Sequence, residues 1–400
     1  MKKKEGLQSA ISKPRVLFLS AWYPMPHDPM FGLFVQKHAR VVASVCDVAV
    51  VYAYAAPEGS VSGVVILQSV NGVNEFLISY PLARRGPLKG FVNFWRWINA
   101  NYKCFQIAKA QWGLPHLVHA NILTRVGLMA YLLKIVYGIP YLISEHWSRY
   151  FTPHLAFRNR AHRWLTRFII RKSETLTVVS DALGKAMVHA GLCKRYSLIP
   201  NVVETHLFKP GMRSNSSAKK QIIHISCFEE KSKNLSGILK AVKLLSDQRQ
   251  DFTLQMVGEG HDLPYARQLA AELNIPESVL AFTGLLEGEM LAGKLADSDL
   301  SILLSNYETF GIVVYESLAC GVPVVVSDVA DFRNHIDPGK GIVCLEHTPE
   351  AFARAISNML DTAQSFEPEP MRQFVIEYFS EEFVRHHILQ MYQEVLKARK

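Results

Sequence analysis

The chain has 400 residues, enough for two α/β domains with a hydrophobic core each. With 49% hydrophobic and 20% charged residues, it is neither a disordered nor a fibrous polypeptide. A formal net charge of +9 favours anionic partners, whether phosphorylated substrate, acidic lipid or nucleic acid, without choosing among them.

At the N-terminus, Met1-Lys2-Lys3-Lys4 is followed by Gln8, Ser9 and Ser12. These polar residues interrupt the apolar region that a signal peptide needs, so none is expected. Short apolar runs rich in β-branched residues then predict strands at Val16–Ser20, Val48–Tyr52, Leu117–His119, Tyr141–Ser144 and Thr175–Ser180. The apolar stretch from Gly127 to Ile143 is broken by Lys134 and Pro140, which speaks against a membrane span and for a crossover helix over Val126–Tyr137. From Pro200 to Lys220 the composition changes, with Pro200, Pro210, Gly211 and the polar run Ser214-Asn215-Ser216-Ser217 marking a linker.

Beyond it, strands are predicted at Ile222–Ser226, Thr253–Val257, Val279–Thr283, Leu300–Leu304 and Pro323–Ser327. Helices over Leu235–Leu245 and Leu263–Leu273 supply the crossovers that parallel strands require. The expected architecture is α/β: two Rossmann-like domains, 1–203 and 204–380, face each other across a cleft. A C-terminal helix over 381–400 packs back on the first domain. Ligands of open α/β sheets bind beyond the carboxyl ends of the strands, so the cleft is the expected site. The six cysteines are scattered and form no C-x-x-C pair, as suits reduced thiols in a cytoplasmic protein rather than a zinc site.

The segment Ser305-Asn306-Tyr307-Glu308-Thr309-Phe310-Gly311-Ile312-Val313-Val314-Tyr315-Glu316 follows a predicted buried strand and opens a helix. Glu308 and Glu316 bracket the helix start. Gly311 keeps the backbone bare there, so a diphosphate can approach the first-turn amides and the positive end of the helix dipole. A carboxylate accepts two hydrogen bonds at once, which suits vicinal hydroxyls of a sugar or ribose. The helix is expected to end at Ala319-Cys320-Gly321, with Gly321 as its C-cap.

This segment resembles the E-x7-E signature of retaining glycosyltransferases of the GT-B fold, especially family 4. Flanking pieces resemble the family in the same order: Val179-Ser180, Ile199-Pro200-Asn201-Val202-Val203, Gly258-Glu259-Gly260, and Val279–Gly284 with Ala296-Asp297-Ser298-Asp299. The resemblance implies that Glu316 holds the nucleotide ribose and that Glu308 faces the donor sugar. The backbone of Thr309, Phe310 and Gly311 would touch the sugar and diphosphate. Of the basic pair that neutralises the leaving diphosphate, Lys233 matches the lysine, whereas Cys227 stands at the arginine position; Lys231 is the candidate replacement. Gly32 matches the glycine loop after the first strand, and His119 the histidine near the reacting sugar. Glu145 and His146, closing another strand, are candidate acceptor-side residues.

The implied reaction is front-face glycosyl transfer with retention, from a nucleoside diphosphate sugar of UDP or GDP type to a lipid-linked or saccharide acceptor. It needs no cofactor and no metal. Asp297-Ser298-Asp299 is D-x-D by letters but precedes a buried strand, and reads as a turn. Arg84-Arg85-Gly86-Pro87-Leu88-Lys89 with Phe91, Phe94, Trp95 and Trp97, and Arg160, Arg163, Arg167 and Arg171 with Trp164 and Phe168, mix cations with aromatics as surfaces on anionic bilayers do. The expectation is a cytoplasmic protein, peripheral on the inner face of a membrane. No nucleic-acid-binding module is present. Two other readings share these features: a nucleotide-sugar 2-epimerase, and a catalytically silent homologue serving as partner in a membrane assembly.

Overall fold

A computed structural model describes residues 13–123, 125–151, 159–211, 219–362 and 365–398. The basic start Met1 to Lys4 and the linker run Ser214 to Ser217 lie outside the described residues.

Eight strands form the first sheet: β1 (Arg15–Ser20), β2 (Asp47–Ala55), β3 (Val65–Val70), β4 (Val73–Tyr80), β5 (Leu117–Asn121), β6 (Tyr141–Glu145), β7 (Leu176–Val178) and β8 (Ser197–Leu198). Their spatial order is β3-β4-β2-β1-β5-β6-β7-β8. Six more form the second: β9 (Lys220–Ile225), β10 (Phe252–Val257), β11 (Leu280–Gly284), β12 (Leu300–Leu303), β13 (Val324–Ser327) and β14 (Gly341–Cys344), in the order β11-β10-β9-β12-β13-β14. The strand pairs are parallel except β3 with β4, as two α/β lobes covered on both faces require. Burial of the seven inner residues of β2 follows from that double cover.

The predicted strands recur with ends shifted by a few residues, and four further strands appear. β3 and β4 form a hairpin across Asn71-Gly72, both at positive φ (50° and 79°), the geometry of a two-residue primed turn. That Asn-Gly pair was a readable signal. β8 has only two residues and β14 only four, too short for a periodicity to register.

On one face of the first sheet, Val35, Ala39 and Val42 of the helix Leu33–Ala43 pack with Val16, Phe18, Val48 and Val50. Val384, Ile388 and Tyr392 of the C-terminal helix Glu381–Lys397 share this core. The other face is covered by helices Lys89–Trp112, Arg125–Tyr137 and Arg160–Lys172. The chain leaves the first lobe after β8 and returns at Ser380, whose bridge to Val203 lays the outgoing and returning segments side by side. Arg372 fastens this crossing by donating to the carbonyls of Thr205, Phe208 and Ala319 at 2.9, 2.8 and 3.1 Å.

The C-terminal helix also reaches the polar interior. The Tyr392 hydroxyl lies 2.6 Å from His119 Nδ1, whose Nε2 is 2.7 Å from Ser144 Oγ. Tyr392→Phe is therefore expected to strand one buried ring nitrogen and lower unfolding stability by about 1–3 kcal/mol, measured by urea denaturation.

Candidate active site between the two lobes

Each sheet has one point where strand order reverses: at β1 between β2 and β5, and at β9 between β10 and β12. Loops leaving neighbouring strands there diverge to opposite faces and open a crevice at the carboxyl edge. In the second lobe these are the loops after β9 and β12.

The two loops are stitched together. Asn306 N donates to the Ser232 carbonyl at 2.8 Å, and its side-chain amide donates to the Lys231 carbonyl at 3.1 Å. Asn234, at φ 53°, caps the helix Leu235–Ser246 and donates to the Leu304 carbonyl. Gly258 and Gly260 press against this frame from the turn after β10; a Cβ on Gly260 would lie 2.4 Å from the Phe228 carbonyl oxygen. Lys233 Nζ thereby meets Glu308 Oε1 at 2.5 Å, and Ser305 Oγ donates to the same oxygen at 2.8 Å. Burial opposes the Lys233 charge, but Glu308, with Cys227 and Glu229 behind it, outweighs this and raises the Lys233 pKa. Cys227 is exposed beside this pair, and Lys231 is exposed on the short helix Glu230–Lys233 that follows.

Gly311, at φ 70°, begins the helix Ile312–Ala319, and a Cβ there would lie 2.5 Å from the Phe332 ring. Thr309 is half-buried before it. The Phe310 ring is turned into the core against Tyr315 and Phe379, so only its backbone is available to a ligand. The helix ends at Ala319, with Gly321 at φ 69°. Glu316, 5% exposed, comes within 3.7 Å of Lys37 Nζ from the other lobe, and Lys37 also holds Glu204 of the linker at 2.7 Å.

In the first lobe Gly32, at φ 72°, begins the helix Leu33–Ala43 so close to the chain that a Cβ would lie 2.4 Å from the Trp22 carbonyl carbon. Trp22 meets Trp147, Phe31 and Phe34 with ring centroids 5.2, 5.9 and 6.3 Å apart. Beneath them, His146 packs on Phe34 and His38, beside the Asn201 amide. Among the described residues its ring nitrogens, Asn121 Oδ1 and Asn201 Oδ1 are buried without a well-formed hydrogen bond. Asp331 of the second lobe closes the contact by accepting from the amides of Asp181 and Ala182 at 2.7 and 2.9 Å, at the start of the helix Asp181–His189.

The structure corrects three expectations. His119 does not end its strand: β5 runs on to Asn121, and His119 is 1% exposed with both nitrogens engaged inside the lobe. It is a strut, and Asn121 occupies the strand end. Glu145 is likewise internal. Its oxygens accept from the amides of Leu123, His146 and Trp147 and from the Tyr150 hydroxyl, leaving no face for an acceptor. Of the four arginines on the helix Arg160–Lys172, Arg163 and Arg167 donate to the carbonyls of Ala190 and Gly191. Arg160 and Arg171 remain exposed.

Sequence reasoning passed over Lys37, Asn121 and Asp331. Lys37 had one readable signal, a cation off the apolar stripe of the helix that Gly32 starts. Asn121 and Asp331 had none, because their roles depend on strands and a lobe remote in the chain.

Two parallel α/β lobes joined at their switch points define a GT-B glycosyltransferase architecture. The chain belongs to glycosyltransferase family 4: residues 46–207 match the pattern described as Glycosyltransferase Family 4, and residues 212–377 that described as Glycosyl transferases group 1. It is 31% identical to the N-acetyl-alpha-D-glucosaminyl L-malate synthase of Bacillus anthracis, over 59% of this chain and 64% of that one. To a GDP-mannose-dependent alpha-(1-6)-phosphatidylinositol dimannoside mannosyltransferase of Mycobacterium tuberculosis it is 30% identical, over 40% and 43% of the two chains. Both matches span less than two thirds of the relative's length. Anabaena Alr3699/HepE, solved in complex with UDP and glucose, superposes with a TM-score of 0.70 at 15% identity, covering 95% of this chain and 100% of that one.

Burial lowers the pKa of His38 and of His224 to about 4, and those of His119 and His146 well below the ordinary value. The unfolded chain binds these protons near pH 6.5 and the folded chain does not, so acid favours unfolding. Stability is expected to be full above pH 6.5 and to fall as pH drops to about 4, by on the order of 3 kcal/mol for each of His38 and His224. Denaturant midpoints measured across that range check this.

Proposed function

We propose that the protein is a retaining glycosyltransferase, moving a hexosyl group from a nucleoside diphosphate sugar to a hydroxyl of a lipid-linked or saccharide acceptor. The observation that carries this reading is the Lys233–Glu308 pair at the β9/β12 switch point, one helix start away from Glu316. In it, Glu316 accepts the ribose hydroxyls and Glu308 a donor-sugar hydroxyl. The amides at Gly311 and Gly32 face the diphosphate, as bare helix starts do for anions. As the bond from the anomeric carbon to the diphosphate oxygen breaks, its electron pair goes to the leaving phosphate. Lys233, aided by Lys231 where Cys227 provides no cation, stabilises that charge. The acceptor oxygen bonds to the same face of the anomeric carbon, and its proton passes to the departing phosphate oxygen. No covalent protein intermediate and no metal enter this scheme.

For the acceptor, the Trp22–Trp147 pair offers aromatic faces suited to the C–H faces of a sugar ring. The malate and phosphatidylinositol dimannoside in the names of the two relatives bracket the range, from small acid to lipid glycan. The lipid end is favoured by the face of the first lobe that helices Lys89–Trp112 and Arg160–Lys172 cover, where the first exposes Phe91 and Trp95 with Lys89 and the second Trp164 with Arg160 and Arg171. Among the described residues no helix is long and apolar enough to cross a membrane.

A thermal-shift screen against UDP, GDP and their sugars is expected to raise the melting temperature with one nucleotide class, and Glu316→Gln to abolish that shift. Proton NMR of the product should then show the donor's anomeric configuration retained. Inversion of that configuration, or release of a 2-epimer without acceptor, overturns the reading. Sedimentation with phosphatidylglycerol vesicles is expected to be strong at low salt, and to weaken both at high salt and on Trp164→Ala. Equal binding to neutral phosphatidylcholine vesicles would remove the lipid-face reading.

A further inference from the structure

The surroundings of Glu316 pose a problem that the chemistry above leaves open. Burial raises the pKa of its carboxyl above the ordinary value; Lys37 pulls back toward the anion, and the nearby Glu204 carboxylate pushes with burial, so the net shift stays upward. The charged and titratable groups around it come from four places. Lys37 stands on the helix Leu33–Ala43, Glu204 on the linker, Cys320 at the end of Glu316's own helix, and Arg372 on the helix Pro368–Phe379. Arg372 is committed to three backbone carbonyls. Among the described residues, Lys37 is the cation in ion-pair reach of Glu316.

Its geometry is uneven. The ammonium is 2.7 Å from Glu204 and 3.7 Å from Glu316, so it is anchored on the linker carboxylate and only leans toward the other. At 3.7 Å the cation stabilises the negative charge while its contact with the carboxylate is longer than a well-formed hydrogen bond. Burial works against the Lys37 charge, but Glu316 and Glu204 together outweigh it and raise its pKa, so it stays protonated at neutral pH.

We propose that Lys37, anchored by Glu204, is a positioning residue for the donor: it holds Glu316 as a two-oxygen acceptor for the vicinal hydroxyls of a nucleoside ribose. A neutral carboxyl group carries its own O–H and offers fewer acceptor sites, and a diol brings two donors. This inference rests on the ribose role given to Glu316 above. It adds that the first lobe contributes a residue to donor affinity without touching the donor, and it explains why a buried cation from that lobe stands beside a ligand residue of the second.

The test is calorimetric titration of the full chain with UDP and GDP, between pH 6 and pH 9. It uses the wild-type chain, Glu316→Gln, Lys37→Met and Lys37→Arg, with folding of each checked by circular dichroism. Lys37→Met is expected to weaken nucleotide binding about tenfold at pH 7 and to recover most of that loss toward pH 9, as Glu316 ionises without its cation. The wild-type chain should vary little over the range, and Lys37→Arg should stay within about threefold of it, since a guanidinium keeps the charge. If Lys37→Met does not fold, Lys37→Gln takes its place. Unchanged affinity in the Met or Gln variant, or a loss that is the same at every pH, overturns the positioning role while leaving the ribose role of Glu316 standing. Unchanged affinity in Glu316→Gln, or no binding of either nucleotide by the wild-type chain, overturns the ribose role itself and this inference with it.

Discussion

Lys37 sits largely out of water between two carboxylates, one on the linker and one on the opposite lobe. Lys37 and Glu316 are both largely buried, and a buried charge that loses its partner is destabilised unless it becomes neutral. The ion group therefore constrains where the lobes stand. It lies near the crossing where Val203 bridges Ser380 and Arg372 gathers three carbonyls. Asp331, capping a helix of the other lobe, adds a second polar tie between the lobes. Each tie leaves a buried charge or polar group unsatisfied if the lobes separate without water or ligand to replace it.

With that frame set, the chemistry follows from parallel topology. A right-handed crossover brings every parallel strand back in the same direction, so all loops at the carboxyl edge open to one side. Two such edges, each with a switch point, meet here. Lys233 and Glu308 come from adjacent strands of the second sheet but lie 75 residues apart in the chain. They meet because Asn234 and Asn306 sew the two loops together before any ligand is involved.

The legible part of this design was local. Glu308, Gly311 and Glu316 lie within one strand–turn–helix unit, and that unit, with the flanking segments in the same order, carried the family resemblance. Gly32 was readable for the same reason, and the hairpin at Asn71-Gly72 carried an equally local signal that the strand pattern overlooked. His119 shows the opposite case. A strand-end histidine was expected, but the strand continues two residues further, and the ring fills a polar slot completed by Tyr392, 273 residues away. Glu145 misled in a related way: its position at a strand end was right, yet the following loop folds back and consumes all its acceptor capacity.

The amino-acid sequence by itself determined the alternation of buried strands and crossover helices, and with it two parallel α/β lobes. It also placed the paired glutamates around one helix start. These depend on periodicity and on residues within a few turns of one another, which is where hydrophobic pattern and backbone preference act. Only the tertiary structure decided which ionisable groups face a ligand and which are spent inside the fold. Lys37 meeting Glu316, Asp331 capping the helix at Asp181, and His119 closing on Tyr392 are contacts between distant segments. Whether a charged or polar side chain is satisfied there is a property of the assembled interior, and no stretch of chain carries that information alone.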